Sequence, residues 1–145
     1  MVTVAAAKPH ADAVLLLLAA VNVLAGRGEV PAGGGWQGEP GDSPFVGYVV
    51  LFPFTGSDDP LSLAQVYDDF DFPFQITAVG VVSDQAEQVM DAVRAGLVGA
   101  TPAVAGRRAY PIYPVPLNRP ITRDDAADPP VFYGVAQFHF RSHPI

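Results

Sequence analysis

Residues 67–80 read "YDDFDFPFQITAVG" and place Asp68, Asp69 and Asp71 among aromatic rings, ahead of an apolar run. Carboxylates this close could hold a divalent cation, exchange a proton as an acid–base pair, or present negative charge to a partner. Oxygen ligands of this kind suit Ca²⁺ or Mg²⁺. The spacing is not that of an EF-hand loop, which requires a later glycine and a bidentate glutamate. Asp68 and Asp71 could share a face, with Asp69 set apart from them in an extended segment. A solvated acidic edge is therefore the favoured reading, and no metal or other cofactor is expected.

The other candidates for chemistry are weaker. "GGGWQG" satisfies G-x-G-x-x-G through Gly33, Gly35 and Gly38, but Glu39-Pro40-Gly41 follows where a helix should begin. A phosphate would also meet Glu39, so a plain glycine loop is expected. His139 and His143 stand four residues apart, about 13 Å along a strand, too far to share one metal. Ser142-His143 lacks an orienting acid in any recognisable motif, and no G-x-S-x-G is present. Cysteine is absent, which removes disulfides and thiolate sites. A non-enzymatic protein is the expectation.

The elements that carry these residues follow from pattern. The chain has 145 residues, half of them hydrophobic, enough for one core in a single domain over 1–145. "ADAVLLLLAAVNVLAG" (11–26) has its longest apolar run at 13–21, short of the roughly 20 residues of a membrane span. A signal peptide is the rival reading, but Asp12 and Asn22 interrupt the segment and no A-x-A site follows. The run predicts a nearly buried helix starting near 9–12 and ending at Gly26. "FVGYVVLFPF" (45–54), "PFQITAVGVV" (73–82) and "VFYGVAQFHFR" (131–141) predict strands, with a short one near 109–115. In the last strand Phe132, Ala136, Phe138 and Phe140 share one face. Residues 83–99 predict an amphipathic helix, with Ser83 as N-cap, Ala86, Val89, Met90, Val93 and Leu97 on the apolar stripe, and Gly99 as the stop. This order predicts an α+β fold: a mostly antiparallel sheet with two helices on one face. Gly/Pro-rich or irregular stretches at 26–44, 55–72 and 100–130 are long for a small domain, and long loops are usually functional.

Charge is segregated along the chain. The net charge is −7, which disfavours nonspecific nucleic-acid binding. Residues 28–93 hold eleven carboxylates and no Lys or Arg, whereas residues 94–145 hold six Arg and three Asp. The acidic middle of one copy could therefore meet the arginines of the next. The candidate interface comprises Arg107, Arg108, Arg119 and Arg123, with Phe52, Phe54, Phe70 and Tyr113 supplying apolar contact from loops. Asp58, Asp59, Asp68, Asp69 and Asp71 would form an acidic lumen or interface loop.

The apolar N-terminal helix, the Gly/Pro-rich loop, "FPFQITAVGVVSDQAEQVMDAVRAGLVG" and the closing "VFYGVAQFHFRS" resemble the tail terminator proteins of long-tailed bacteriophages, from about residue 10 to 142. The resemblance implies an α+β subunit of a homo-oligomeric ring, typically a hexamer. Such a ring caps the tail tube, ends its polymerisation and meets the head–tail connector. It implies a virion location at the head-proximal end of the tail, after assembly in the host cytoplasm, with DNA passing through unbound and no membrane. The family has no catalytic residues to carry over. A neighbouring connector, a minor tail or tube subunit, and a small ligand-binding or enzymatic α+β domain are the alternatives.

Overall fold

The computed structural model describes residues 4–59, 69–117 and 119–145. Its spine is a pair of long antiparallel strands, β6 (Asp69–Gly80) and β10 (Val131–Pro144), in register from Phe70↔Ser142 to Gly80↔Phe132. On the free side of β6 lie β4 (Tyr48–Pro53) and then β5 (Ser57–Asp59), both antiparallel to it. The short β1 (Ala25–Arg27) runs parallel to β4 and closes that edge. On the free side of β10 lie β7 (Arg107–Ala109), β8 (Tyr113–Val115) and β9 (Thr122–Asp124), each antiparallel to a different stretch of it. A small hairpin of β2 (Gly35–Trp36) and β3 (Phe45–Val46) stands apart. Two helices, α1 (Ala7–Ala20) and α2 (Ser83–Leu97), complete the α+β fold.

Strand alternation decides the layers. Phe70, Phe72, Phe74, Ile76 and Ala78 of β6 point to the helices, beside Phe138 and Phe140 of β10, and all are buried. The paired register brings Phe74 to Phe138 and Phe72 to Phe140, with ring centroids 5.6 and 5.8 Å apart. Each fully buried phenylalanine contributes about 1.5–3 kcal/mol of transfer free energy. Val14 and Leu18 of α1 and Ala86, Val93 and Leu97 of α2 seal this layer. The expected stripe on α2 is thus the packed one, with Val89 and Met90 at its margin.

Several boundaries depart from expectation. The first helix begins at Ala7 and stops at Ala20, not at Gly26, because Asn22 adopts φ 59°. Val23 N–H then donates to Leu18 O and Asn22 N–H to Ala19 O, the doubly bonded cap that favours glycine or asparagine at this position. Gly26 lies instead in β1, where a Cβ would meet Glu29 O. Ser83 is the first helical residue of α2 and does not cap it. The junction is held by Gln85, whose Oε1 accepts from Val81 N–H at 2.8 Å while Nε2 donates to Phe45 O at 2.9 Å. The second strand starts at Asp69 rather than Pro73, and the last continues to Pro144. Among the described residues, no helix is long and apolar enough to cross a membrane.

Candidate functional site

The carboxylates at the head of β6 belong to a strand, not to a loop. Asp69 and Asp71 are two residues apart and share the face opposite the helices, contrary to the expectation that Asp69 would stand aside. The side chains that meet them come from β10 of the same chain. Arg141 Nη1 donates to Asp69 Oδ2 at 2.8 Å, and His139 Nδ1 donates to Asp71 Oδ1 at 3.1 Å. Arg141 lies directly opposite Asp71, and His139 opposite Pro73. Both pairs therefore run diagonally, within reach of long side chains on one sheet face. Asp69 is only 5% exposed, so the guanidinium is its main compensation for lost hydration. Asp58, on β5, accepts from Ala5 N–H at 3.3 Å and ties the start of the chain to the sheet. Asp68 and the side chain of Asp59 lie outside the described residues. Among the described residues, no three His, Asp or Glu side chains converge as a metal site.

The candidate interface residues separate into groups. Phe70 is 1% exposed in the core beneath α1, so it cannot supply a loop contact as expected: its strand parity places it inside. Phe52, Phe54 and Tyr113 are exposed. Register brings them to one surface. Phe52 pairs with Gln75, Gln75 with Gln137, and Gln137 with Val115. In the adjacent row Phe54 N–H donates to Pro73 O, Pro73 pairs with His139, and His139 with Tyr113. Across these two rows the face opposite the helices is a partly apolar surface with aromatic rings at both sides, bordered by the Asp69–Arg141 and Asp71–His139 contacts. Tyr113 and His139 sit 6.1 Å apart between centroids, and with Tyr110 and Arg141 they border a cleft of about 280 Å³.

The arginines also differ. Arg107 turns inward, donating from Nε to Ser142 Oγ at 2.8 Å and from Nη2 to Ser142 O at 3.0 Å. Arg123 pairs with Asp125 at 2.7 Å, both exposed, a contact worth little alone. Arg108 and Arg119 are exposed on the β7–β9 edge. At the other end of the chain, Asp12 lies between Lys8, at 3.0 Å, and Arg27. The hydrogen bond from Lys8 and the nearby Arg27 charge hold its carboxyl below the usual value.

One constellation was not anticipated. His10, Val14 and Leu18 follow at intervals of four on the inner face of α1, and His10 is fully buried. Its ring lies 4.7 Å from Phe70, 5.7 Å from Phe72 and 5.6 Å from Phe140. Its Nε2 is 2.7 Å from Ser142 Oγ, also fully buried. Ser142 therefore works with His10, across the core, and not with its neighbour His143. The signal was available in parity: Ser142 continues the inward series Phe138, Phe140 of β10. A buried hydroxyl without access to solvent is not a nucleophile in waiting, and this pair is a structural link. The glycine loop likewise serves itself, with Gln37 Nε2 donating to Gly33 O and Gly35 O inside the hairpin.

The fold places this chain among α+β proteins with two helices on one side of a curled, mostly antiparallel sheet; among the described residues no helix covers the other side. No protein-family model matches the sequence, and no curated protein matches it. Among solved structures, the chain is similar to one from the virion of a native gene transfer agent particle. The two share a TM-score of 0.56 and 19% identity, over 95% of this chain and 92% of the other. That likeness establishes the fold.

Proposed function

We propose that this chain is a structural virion protein, a single 145-residue domain that assembles into a ring and caps the tail tube where the tail joins the head. The observation that carries the reading is the fold shared with a virion chain over nearly the full length of both. The resemblance to tail terminators adds the finer role: stopping tube growth and meeting the connector. The helix-free face with Phe52, Phe54 and Tyr113 suits contact with a neighbour, since aromatic residues are enriched at interface centres. Arg108 and Arg119 are the cations to offer to the acidic surface of the next copy, and Arg123 could exchange Asp125 for such a partner. Asp58 would contribute to an acidic wall past which DNA moves without binding. A head–tail connector or tube subunit is the second reading, favoured by the same fold likeness. An enzyme is disfavoured by the full burial of the Ser142 hydroxyl beside His10.

The test is mass and shape. The purified protein should sediment at several times 15.3 kDa and form closed rings by electron microscopy. Arg108→Glu with Arg119→Glu should weaken the ring and leave the melting temperature of the subunit unchanged. A protein that stays monomeric at all concentrations, with or without tube protein, would refute the ring. Particles lacking the chain should carry overgrown tails detached from filled heads; a complete absence of tails would favour the tube-subunit reading.

A further inference from the structure

The two edges of the sheet differ in kind at matching levels. On one side β1 covers β4 only as far as Leu51. Residues 52–55 follow, and all four are exposed. The backbone holds this tip in place. Phe54 N–H donates to Pro73 O at 3.2 Å. Gly56, at φ +79°, closes the turn against Phe70, whose ring a Cβ at this position would overlap. Phe54 is therefore an apolar knob on a fixed turn. On the other side, Tyr110, Tyr113, His139 and Arg141 border a cleft of about 280 Å³. Arg141 is engaged with Asp69 and His139 with Asp71, and the two tyrosine rings remain to receive an apolar group. An apolar cavity of about 150 Å³ accommodates benzene, so one phenyl ring fits the space.

Register sets knob and cleft at one level. Phe54 bonds to Pro73, Pro73 pairs with His139, and His139 with Tyr113. Charge follows the same rule a few residues away. Asp58 of β5 pairs with Phe70, Phe70 with Ser142, and Ser142 with Ala109 of β7, next to the exposed Arg108. Among the described residues, no strand lies on the outer side of β5 or of β7. Moving one copy along these rows, edge to edge and in the same orientation, therefore makes two matches at once. Phe54 arrives at the tyrosine cleft, and Asp58 arrives beside Arg108.

We propose that Phe54 of one copy seats in the Tyr110–Tyr113 cleft of the next, head to tail, with Asp58 facing that neighbour's Arg108. The inference rests on the ring reading above and names the surfaces that close the ring.

The contact joins two different patches, so each added copy leaves one knob and one cleft for others until the circle closes. A patch that met itself would stop at a dimer. The aromatic ring in a desolvated cleft is the anchor, and a fixed turn lowers the cost of ordering it. The charge pair sets direction. Two copies meeting by like edges would oppose Asp58 to Asp58, or Arg108 to Arg108, and like charges select against that arrangement.

The experiment uses the full chain, whose lack of cysteine leaves introduced thiols without competitors. Pro53 and Pro114 are exposed and lie in one row, through Phe74 and Phe138, beside the knob and the cleft. Within a subunit three strand spacings, about 14 Å, separate them. A bismaleimide too short for that span should link the double variant Pro53→Cys/Pro114→Cys into a ladder that ends at the ring number. Pro53→Cys alone and Pro114→Cys alone should give no linked dimer. Phe54→Ala should raise the concentration needed for assembly by about 30-fold without changing the circular dichroism spectrum. Tyr113→Ala should do the same, and the two together should cost less than the product of the single effects. Rings that form without the ladder and tolerate Phe54→Ala overturn this contact and leave the ring reading intact. Linked dimers in a single-cysteine variant overturn it in favour of a two-fold contact. A ring of unchanged stability that loses tube-protein binding in Phe54→Ala assigns the knob to the tube and overturns it as well. A chain monomeric at all concentrations, with or without tube protein, overturns the ring reading and this contact with it. Should a cysteine variant fail to fold, dilution of Phe54→Ala against the parent decides.

Discussion

Replacing Gly80 with alanine tests the joint between β6 and α2, where a long central strand turns into the second helix. Gly80 does not have a positive φ, so alanine carries no backbone penalty there. The obstacle is space. A Cβ would stand 2.5 Å from Ala86 N, 2.9 Å from Gln85 Cβ and 3.0 Å from Gln85 C, and the first of these is helix backbone. Restoring an ordinary contact of about 3.5 Å requires the first turn of α2 to retreat by roughly 1 Å. Overpacking of this kind costs about 1–3 kcal/mol. The retreat also stretches the two hydrogen bonds of Gln85, at about 1 kcal/mol each. Lower chain entropy in the unfolded state returns about 0.4–1 kcal/mol. The net loss is about 2–4 kcal/mol, or roughly 5–15 °C in melting temperature for a domain of this size. Thermal unfolding followed by circular dichroism measures it. Gly99→Ala is the control: nothing lies within 4 Å, but φ is +78°, so its cost is conformational and about 1–2 kcal/mol. A Gly80→Ala protein that melts within 2 °C of the parent (roughly half the smallest expected shift) would refute the steric argument.

Other outcomes follow from the same contacts. Arg141→Ala should cost about 1–2 kcal/mol, discounted for the half-exposed guanidinium, because it leaves the buried Asp69 carboxylate without its cation. Asp69→Asn in that background should recover part of the loss, and a double-mutant cycle in urea measures the coupling. Asn22→Gly should be neutral or stabilising and Asn22→Ala destabilising by about 1 kcal/mol, since the cap of α1 needs a positive φ. Stability should fall in acid in two steps. His10 binds its proton more weakly when folded than when unfolded, so its contribution is complete above 6.5 and declines as the pH drops from 6.5 towards the lower folded value. Asp12 behaves likewise further down, losing its contribution as the pH falls below 3.8. Urea titrations at pH 8, 6, 5 and 3.5 check both, and a flat profile between 8 and 5 contradicts the first.

Period and parity made the core strands and the amphipathic helix legible. Phe74, Ile76, Phe138 and Phe140 alternate with polar residues, and the 86–97 stripe repeats at helical spacing. What remained hidden depended on partners distant in sequence. The aspartates at 69 and 71 look like loop residues because aspartate disfavours strands. They extend β6 because Arg141 and His139 stand diagonally across the register, some seventy residues away. Asn22 reads as a flaw in an apolar run until its positive φ makes it the helix stop. His10 and Ser142 are separated by nearly the whole chain, and only the burial of both faces brings them together.

The segregation of charge along the sequence has a consequence for assembly. It resembles a device for joining copies, and one part of it is resolved within the subunit. Arg141 neutralises Asp69, bridging segments that the fold must hold side by side. Arg107 is committed to Ser142, so replacing it would disturb the core end of β10 and confound any measurement of assembly. Arg108 and Arg119 are the arginines whose loss the subunit can tolerate. The acidic residues Asp84, Glu87 and Asp91, at intervals of three and four on the outer face of α2, are exposed in the same way. Exposed charges are worth little pair by pair, so they can select how copies meet but not hold them together. Cohesion has to come from apolar area, and the sheet face opposite the helices, with Phe52, Phe54 and Tyr113 already exposed and no Asp, Glu, Lys or Arg in the two rows between them, is where the fold provides it.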